Sequence, residues 1–298
     1  MTSIGFIGIG HMGRPMAEHL LNAGYSLYVY DVVREATEAL AAKGAQVAGS
    51  PQEMVKKVDV LFTMVQTGQQ VKALCLGEAG VFQQARPGLL YIDCSSIDIS
   101  TTRELHQEAQ QHQIDMLDAP VSGGVAGADA GALTFMVGGE AAVFQRAEPL
   151  LTVMGKKVIH AGLAGHGQAA KICNNMLLGI SMIGVCEAFA LAGKLGLDAQ
   201  KFFDISANAS GQCWSMTSYC PVPGMVEKAP SNHGYQPGFM AKMMLKDLRL
   251  AQHAAETVNA NVPLGAEATQ LYELYVNQGH GEEDFSGMMK FISQTNSE

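Results

Sequence analysis

Three glycines in the segment Gly8-Ile9-Gly10-His11-Met12-Gly13 restrict what this chain can fold into more than any other feature of its sequence. They follow the apolar run Ile4 to Ile9 and open a helical pattern from Pro15 to Ala23. In a strand that passes into a helix through G-x-G-x-x-G, the first glycine makes the tight turn and the second lets a pyrophosphate approach the backbone. The third lets the helix pack closely on the strand. The helix N-terminus then offers N–H groups and the positive end of its dipole to the phosphates. A second apolar run, Leu27 to Tyr30, ends at Asp31, a carboxylate placed to accept from a ribose 2′-hydroxyl and to repel a 2′-phosphate. Strand, glycines, helix and acid together predict a dinucleotide site built from Gly8, Gly10, His11, Met12, Gly13 and Asp31, with NAD favoured over NADP. Arg34, three residues on, would partly reverse that preference if it turned toward the ribose, but it reads more simply as a solvated side chain in the first turn of a helix.

The pattern that begins there continues. Short apolar runs at Val58 to Val65, Leu89 to Asp93, Met116 to Val121, Leu133 to Val137 and Lys157 to His160 alternate with stretches of helical length such as Arg34 to Ala42. Near-continuous apolar strands fed by helical crossovers predict a mainly parallel sheet covered on both faces, a doubly wound α/β domain over residues 1–163. From Gly165 onward helical periodicity takes over, in Gln168 to Leu195, Ala199 to Asn208, Phe239 to Asn259, Gly265 to Asn277 and Asp284 to Ser293. Residues 164–298 are therefore expected to be an all-α domain, entered through a long interdomain helix. Ser210 to Gln236, with three prolines and the only tryptophan, Trp214, reads as a loop-rich insert. A length of 298 residues suits two domains that close their cores without staples.

Composition removes several function classes. With 19 Lys and Arg against 28 Asp and Glu and no basic cluster, the surface is not built for a phosphate backbone, so no nucleic-acid partner is expected. The apolar run Met176 to Gly193 reaches membrane-spanning length, but it carries Glu187, Ser181, Gly179 and Gly184 and is read as a helix buried on all sides. Six cysteines without a C-x-x-C pair, and no signal peptide at the start, point to reduced thiols in a cytoplasmic compartment. Nine histidines form no H-E-x-x-H or Cys/His spacing, so no metal site is expected.

Three further segments carry candidate chemistry. Asp118-Ala-Pro-Val-Ser-Gly-Gly124 follows a predicted strand, where a serine hydroxyl and successive N–H groups suit a carboxylate; it reads equally as a flexible turn. Lys171 and Asn175, four apart on one helix face behind Gly162, Gly165 and Gly167, suit general acid–base work; alternatively the lysine stem packs while its head reaches water. Lys242, Lys246 and Arg249 read by spacing alone as a solvated stripe.

Taken together, G-F-I-G-I-G-H-M-G-R-P-M-A (5–17), D-A-P-V-S-G-G (118–124), G-Q-A-A-K-I-C-N-N (167–175) and K-D-L-R-L-A (246–251) resemble the β-hydroxyacid dehydrogenases in order and spacing along nearly the whole chain. The resemblance implies a Rossmann-type domain, an all-helical domain and an active site in the cleft between them. It maps the catalytic lysine onto Lys171, its supporting amide onto Asn175, and substrate-carboxylate contacts onto Ser122, Gly123 and Gly124. Lys246 corresponds to a lysine that reaches the cofactor, with Asp247 in the same motif. Met64-Val65-Gln66 stands where relatives usually read M-L-P, and Ser95-Ser96-Ile97 where they read S-T-I; Ser96 keeps the hydroxyl that meets the nicotinamide ribose. C-W-S (213–215), P-V-P-G (221–224), Y-Q-P-G-F (235–239) and D-F-S (284–286) are most similar to the members of that family that act on 3-hydroxyisobutyrate. The implied reaction is NAD-dependent oxidation of 3-hydroxyisobutyrate to methylmalonate semialdehyde, a step of valine catabolism, by a homodimer or homotetramer. Sister activities on tartronate semialdehyde, succinic semialdehyde, glyoxylate or serine share the four motifs, and Trp214 and Phe239 are the expected pocket residues that choose among them.

Overall fold

A computed structural model describes residues 2–293; Met1 and residues 294–298, the ends of the two expected domains, lie outside the described residues. The chain divides into two compact units, Met1–Lys171 and Ile172–Glu298.

Nine strands form the sheet of the first unit: β1 (Ser3–Ile7), β2 (Ser26–Tyr30), β3 (Gln46–Val47), β4 (Val60–Thr63), β5 (Leu90–Asp93), β6 (Asp115–Asp118), β7 (Val121–Ser122), β8 (Leu133–Gly138) and β9 (Gly155–Gly162). The order β3-β2-β1-β4-β5-β6 is parallel throughout, and it reverses direction between β1 and β4. That reversal is the switch point at which ligands of open α/β sheets bind, beyond the carboxyl ends of the strands. Alternate residues supply two cores. Phe6, Val60, Phe62, Leu90 and Ile92 pack on one face, where Phe6 and Phe62 stack at 5.7 Å, while Ile7, Leu61 and Tyr91 pack on the other. This is why these strands read as unbroken apolar runs.

Two details depart from the sequence reading. The single run Met116 to Val121 is two strands. β6 pairs parallel with β5, and the chain then continues antiparallel along β8 in one unbroken register, Asp118↔Gly138, Val121↔Phe135 and Ser122↔Thr134. Pro120, which has no N–H to give, sits at the interruption and accepts instead from Met136 N–H at 3.0 Å. The short strand β3 lies in a segment with no apolar run; both its residues are exposed.

The long helix His166–Lys194 begins in the first unit and continues into the second, and it and the helices Ala199–Ser206, Ala241–Val258, Pro263–Tyr275 and Met288–Ser293 of the second unit follow the expected periodicity. The core of the second unit joins Met182, Cys186, Met244, Leu248, Tyr272, Tyr275, Phe285 and Met288. The long helix is long and apolar enough to span a membrane by length and composition, but it is not buried on all sides: Leu177 and Leu191 are 62% and 61% exposed. Ser210 to Gln236 is not bare loop, because it holds the helical turns Trp214–Thr217 and Pro230–His233. Residues 284–293 begin with a 3₁₀ turn, Phe285–Gly287, before the helix.

Candidate functional site

The glycine turn has the geometry its spacing demands. Gly8 has φ +94°, and a Cβ there would lie 2.2 Å from the Met64 carbonyl oxygen. A Cβ on Gly13 would lie 1.8 Å from the Gly8 carbonyl oxygen, whereas one on Gly10 would meet nothing within 4 Å. The first and third glycines are thus required by the protein's own backbone, and the second stands before open space of the kind a pyrophosphate fills. The helix Gly13–Asn22 has no side-chain cap and no acid in its first turn, so its leading N–H groups suit phosphate oxygens. Half-exposed Met12 precedes this helix, and His11 and Gly10 are exposed.

Asp31 lies at the carboxyl end of β2. Its Oδ2 accepts from Ile9 N–H at 2.6 Å and its Oδ1 from Val33 N–H at 2.8 Å, so the carboxylate is fixed against the glycine turn with lone pairs left for a ribose hydroxyl. Arg34 is exposed at the start of a 3₁₀ turn. Met64 and Val65 follow β4: Met64 N–H donates to the Ile7 carbonyl at 2.9 Å and Val65 N–H to Ser95 Oγ at 3.0 Å. Gln66 is the next residue along. It is exposed, and its N–H donates to Gln70 Oε1, part of the capping of helix Gly68–Cys75. Half-buried Ser96 follows β5. The ends of β1, β2, β4 and β5 therefore bring together the residues expected to hold a dinucleotide, at the switch point, and they fit that group.

Ser122 ends β7, with Gly123 and Gly124 at φ +133° and +63° opening the short helix Gly124–Asp129. Lys171 is 8% exposed in the second turn of the long helix, and Asn175 is 2% exposed one turn further on. The Asn175 amide is turned to a carboxylate: its Nδ2 donates to Asp247 Oδ2, while Lys246 Nζ stands 3.1 Å from Asp247 Oδ1. This resolves the charged stripe on Ala241–Val258. Lys242 pairs with exposed Glu282 and Arg249 with half-buried Glu273, and of the three only Lys246 is tied to a buried acid.

Trp214 and Phe239 belong to one aromatic ladder. Trp214 stacks on Tyr219 at 4.8 Å, Tyr219 on Phe285 at 5.4 Å, and Phe239 meets Phe285 edge-on at 5.6 Å. Buried Asp284 holds the ladder. Its Oδ2 accepts from Tyr219 Oη and from the N–H groups of Gly238 and Phe239 at 2.8 to 3.0 Å, and its Oδ1 accepts from Ser286. Burial raises this carboxyl's pKa, against the hydrogen bonds that lower it.

The sequence reading passed over a set of buried polar residues behind the candidate groups. Asp93 at the end of β5 is fully buried and pushed up to about 6 by desolvation. Asp118 Oδ1 accepts from Gly165 N–H at 2.9 Å and faces His106 Nε2 at 3.0 Å, and its Oδ2 accepts from Gln168 N–H at 2.9 Å. Polar residues ending apolar strands were the available signal. Among the described residues no group of three or more metal-ligating side chains is present. A surface cavity lined by Arg86, Leu90 and Arg146 opens at the amino ends of the strands, away from these groups.

Comparison with known proteins gives the family. Residues 3–162 match the NAD binding domain of 6-phosphogluconate dehydrogenase, and residues 165–292 match the NAD-binding domain of NADP-dependent 3-hydroxyisobutyrate dehydrogenase. An NAD-dependent L-serine dehydrogenase of Pseudomonas aeruginosa is 46% identical over 295 residues, covering 99% of each chain. The mitochondrial 3-hydroxyisobutyrate dehydrogenase of Homo sapiens is 43% identical, over 98% of this chain and 87% of that one. The structure of Mycobacterium tuberculosis 3-hydroxyisobutyrate dehydrogenase with L-serine superposes with a TM-score of 0.93 at 44% identity, covering 98% of this chain and 99% of that one. With its Rossmann-like NAD-binding domain and helical C-terminal domain, the chain belongs to the β-hydroxyacid dehydrogenases, oxidoreductases that act on a CH–OH group with NAD(P).

Proposed function

We propose that this enzyme oxidises 3-hydroxyisobutyrate to methylmalonate semialdehyde with NAD, in the cytoplasm and as a homodimer or homotetramer. Gly8, Gly10, His11, Met12, Gly13, Asp31, Met64, Val65, Gln66, Ser96, Lys246 and Asp247 are the proposed cofactor contacts. When bound there, NAD would supply the hydride acceptor for the oxidation. Lys171 Nζ takes the hydroxyl proton as the carbonyl forms, and returns it in the reverse direction. Asn175, held by Asp247, keeps the lysine's neighbourhood polar and ordered. Ser122 and the N–H groups of Gly123 and Gly124 hold the carboxylate and so choose which carbon reacts.

The observation that carries the choice of substrate is the aromatic ladder. Trp214 and Phe239 offer apolar surface to a methyl group, and the carboxylate supporting them, Asp284, is fully engaged by donors of its own chain, leaving nothing for a substrate ammonium. Oxidation of L-serine is the second reading, favoured by the Pseudomonas relative's activity. An initial-rate panel pairing NAD and NADP with 3-hydroxyisobutyrate, L-serine, glycerate and 4-hydroxybutyrate tests both. The highest kcat/KM is expected for NAD with 3-hydroxyisobutyrate; a preference for L-serine overturns the substrate and keeps the proton-transfer assignment.

A further inference from the structure

Gln168 belongs to no candidate set, yet it is completely buried and its side chain uses both ends of its amide on one loop. Its Nε2 donates to the Ser95 carbonyl at 2.7 Å, and its Oε1 accepts from Ile97 N–H at 3.2 Å. The residue bracketed by those two bonds is Ser96, the proposed nicotinamide-ribose contact. Gln168's own N–H donates to Asp118 Oδ2, and Gly165 N–H donates to Asp118 Oδ1. The first turn of the long helix is thereby capped by the residue that opens the segment leading to Ser122. Lys171 follows Gln168 by three positions on that helix, within one turn. Space has been cleared for this junction: a Cβ on Gly167 would lie 2.4 Å from the Met136 carbonyl oxygen and 2.5 Å from that of Asp118.

We propose that Gln168 is the positioning residue of the hydride and proton transfer, a clamp that fixes the loop carrying Ser96 and the helical turn carrying Lys171 against each other. The proposal rests on the dehydrogenase reading given above. One side chain sets the spacing between the cofactor-facing loop and the proton acceptor, and both must be correct at the same moment because C–H and O–H bonds break together. A misplacement of about 1 Å costs on the order of 100-fold in rate. A buried primary amide suits the position because it presents a donor and an acceptor in one plane, matching a carbonyl and an N–H two residues apart. A carboxyl imitates it only when protonated.

The test compares wild type with Gln168→Met, Gln168→Glu and Lys171→Ala. Gln168→Met keeps the length and loses both bonds; kcat for 3-hydroxyisobutyrate is expected to fall about 100-fold with KM values within about three-fold, and the primary deuterium isotope effect to rise. For Gln168→Glu, kcat relative to wild type is expected to rise at least about ten-fold from pH 9 to pH 6, as the carboxyl gains the proton that it donates to Ser95. Amide hydrogen exchange of the protein alone supplies a readout independent of turnover: Ile97 and the 165–171 turn are expected to exchange faster together in Gln168→Met. Three results overturn the clamp: kcat in Gln168→Met within three-fold of wild type, equal losses in the Met and Glu variants at every pH, or exchange unchanged at Ile97. Lys171→Ala with wild-type kcat overturns the parent reading instead, and the exchange experiment still decides the clamp.

Discussion

Asp93 is a carboxyl group that the fold holds at a cost, and that cost is readable as a pH dependence of stability. It is fully buried at the end of β5; Thr63 Oγ1 and Ser95 N–H donate to its Oδ1 at 2.8 and 3.1 Å, and its Oδ2 has no hydrogen-bond partner among the described residues. Around it, Tyr91 and Cys75 are held neutral by burial, and the Asp118 charge opposes its ionisation. Desolvation is the larger cause, and the carboxyl rises from 3.8 to about 6. The folded state therefore holds this proton more tightly than the unfolded state does. The associated stability is fully present below pH 3.8 and is lost as pH rises through about 6. The loss comes to about 3 kcal/mol at pH 7.5 and roughly half of that at pH 5. Asp93→Asn keeps an acceptor for Thr63 and Ser95 and removes the titration. At about 2–4 °C per kcal/mol for a unit of this size, the difference in Tm between Asp93→Asn and wild type should become more positive by about 3–6 °C between pH 5 and pH 7.5. Calorimetry of both proteins at the two pH values measures it. A Tm difference independent of pH would refute the reasoning, because it would mean that Asp93 ionises in the folded state as easily as in the unfolded chain.

Lys171→Ala should lower kcat by about 10² to 10⁴-fold while the Kd for NADH, measured by fluorescence titration, stays within a few-fold. Gly10→Ala should fold with wild-type Tm yet bind NADH at least about ten-fold more weakly, since the added methyl meets only the space left for the pyrophosphate; Gly13→Ala should instead lose about 3 kcal/mol or more in chemical denaturation, because its Cβ collides with the Gly8 carbonyl. Asp31→Ala should narrow the ratio of kcat/KM between NAD and NADP in initial-rate assays. Asp284→Asn turns a donor toward Tyr219, Gly238 and Phe239, and should lower Tm by about 4–8 °C and raise KM for the hydroxy acid more than it lowers kcat.

Features dictated by local geometry were legible in the sequence. The glycine turn, the acid ending β2 and the onset of helix near Gly165 each follow from short-range constraints, and strand and helix periods placed most elements to within a few residues. What escaped depends on tertiary pairing. No pattern in Met116 to Val121 says that its first half runs parallel to β5 and its second half antiparallel to β8. Gln168 looked like one more polar residue beside a glycine, because its partners Ser95 and Ile97 lie 73 and 71 positions away. The charged stripe from Lys242 to Arg249 hid one buried pair among two surface ones, a distinction set by burial and not by spacing.

The boundary between the two compact units falls between Lys171 and Ile172, inside one uninterrupted helix. For anyone recombining relatives of this enzyme, the seam that minimises broken contacts is the wrong place to cut, because it assigns Lys171 to one parent and Asn175 to the other. A crossover at Gly162 to Gly165 keeps that pair in a single piece. It transfers the burden to Asp118, which must then cap a helix inherited from a different sequence. A chimera across that joint should succeed when the donor helix brings a glutamine at position 168 and the recipient sheet brings an aspartate at 118, so the compatibility of two parents can be judged from two residues.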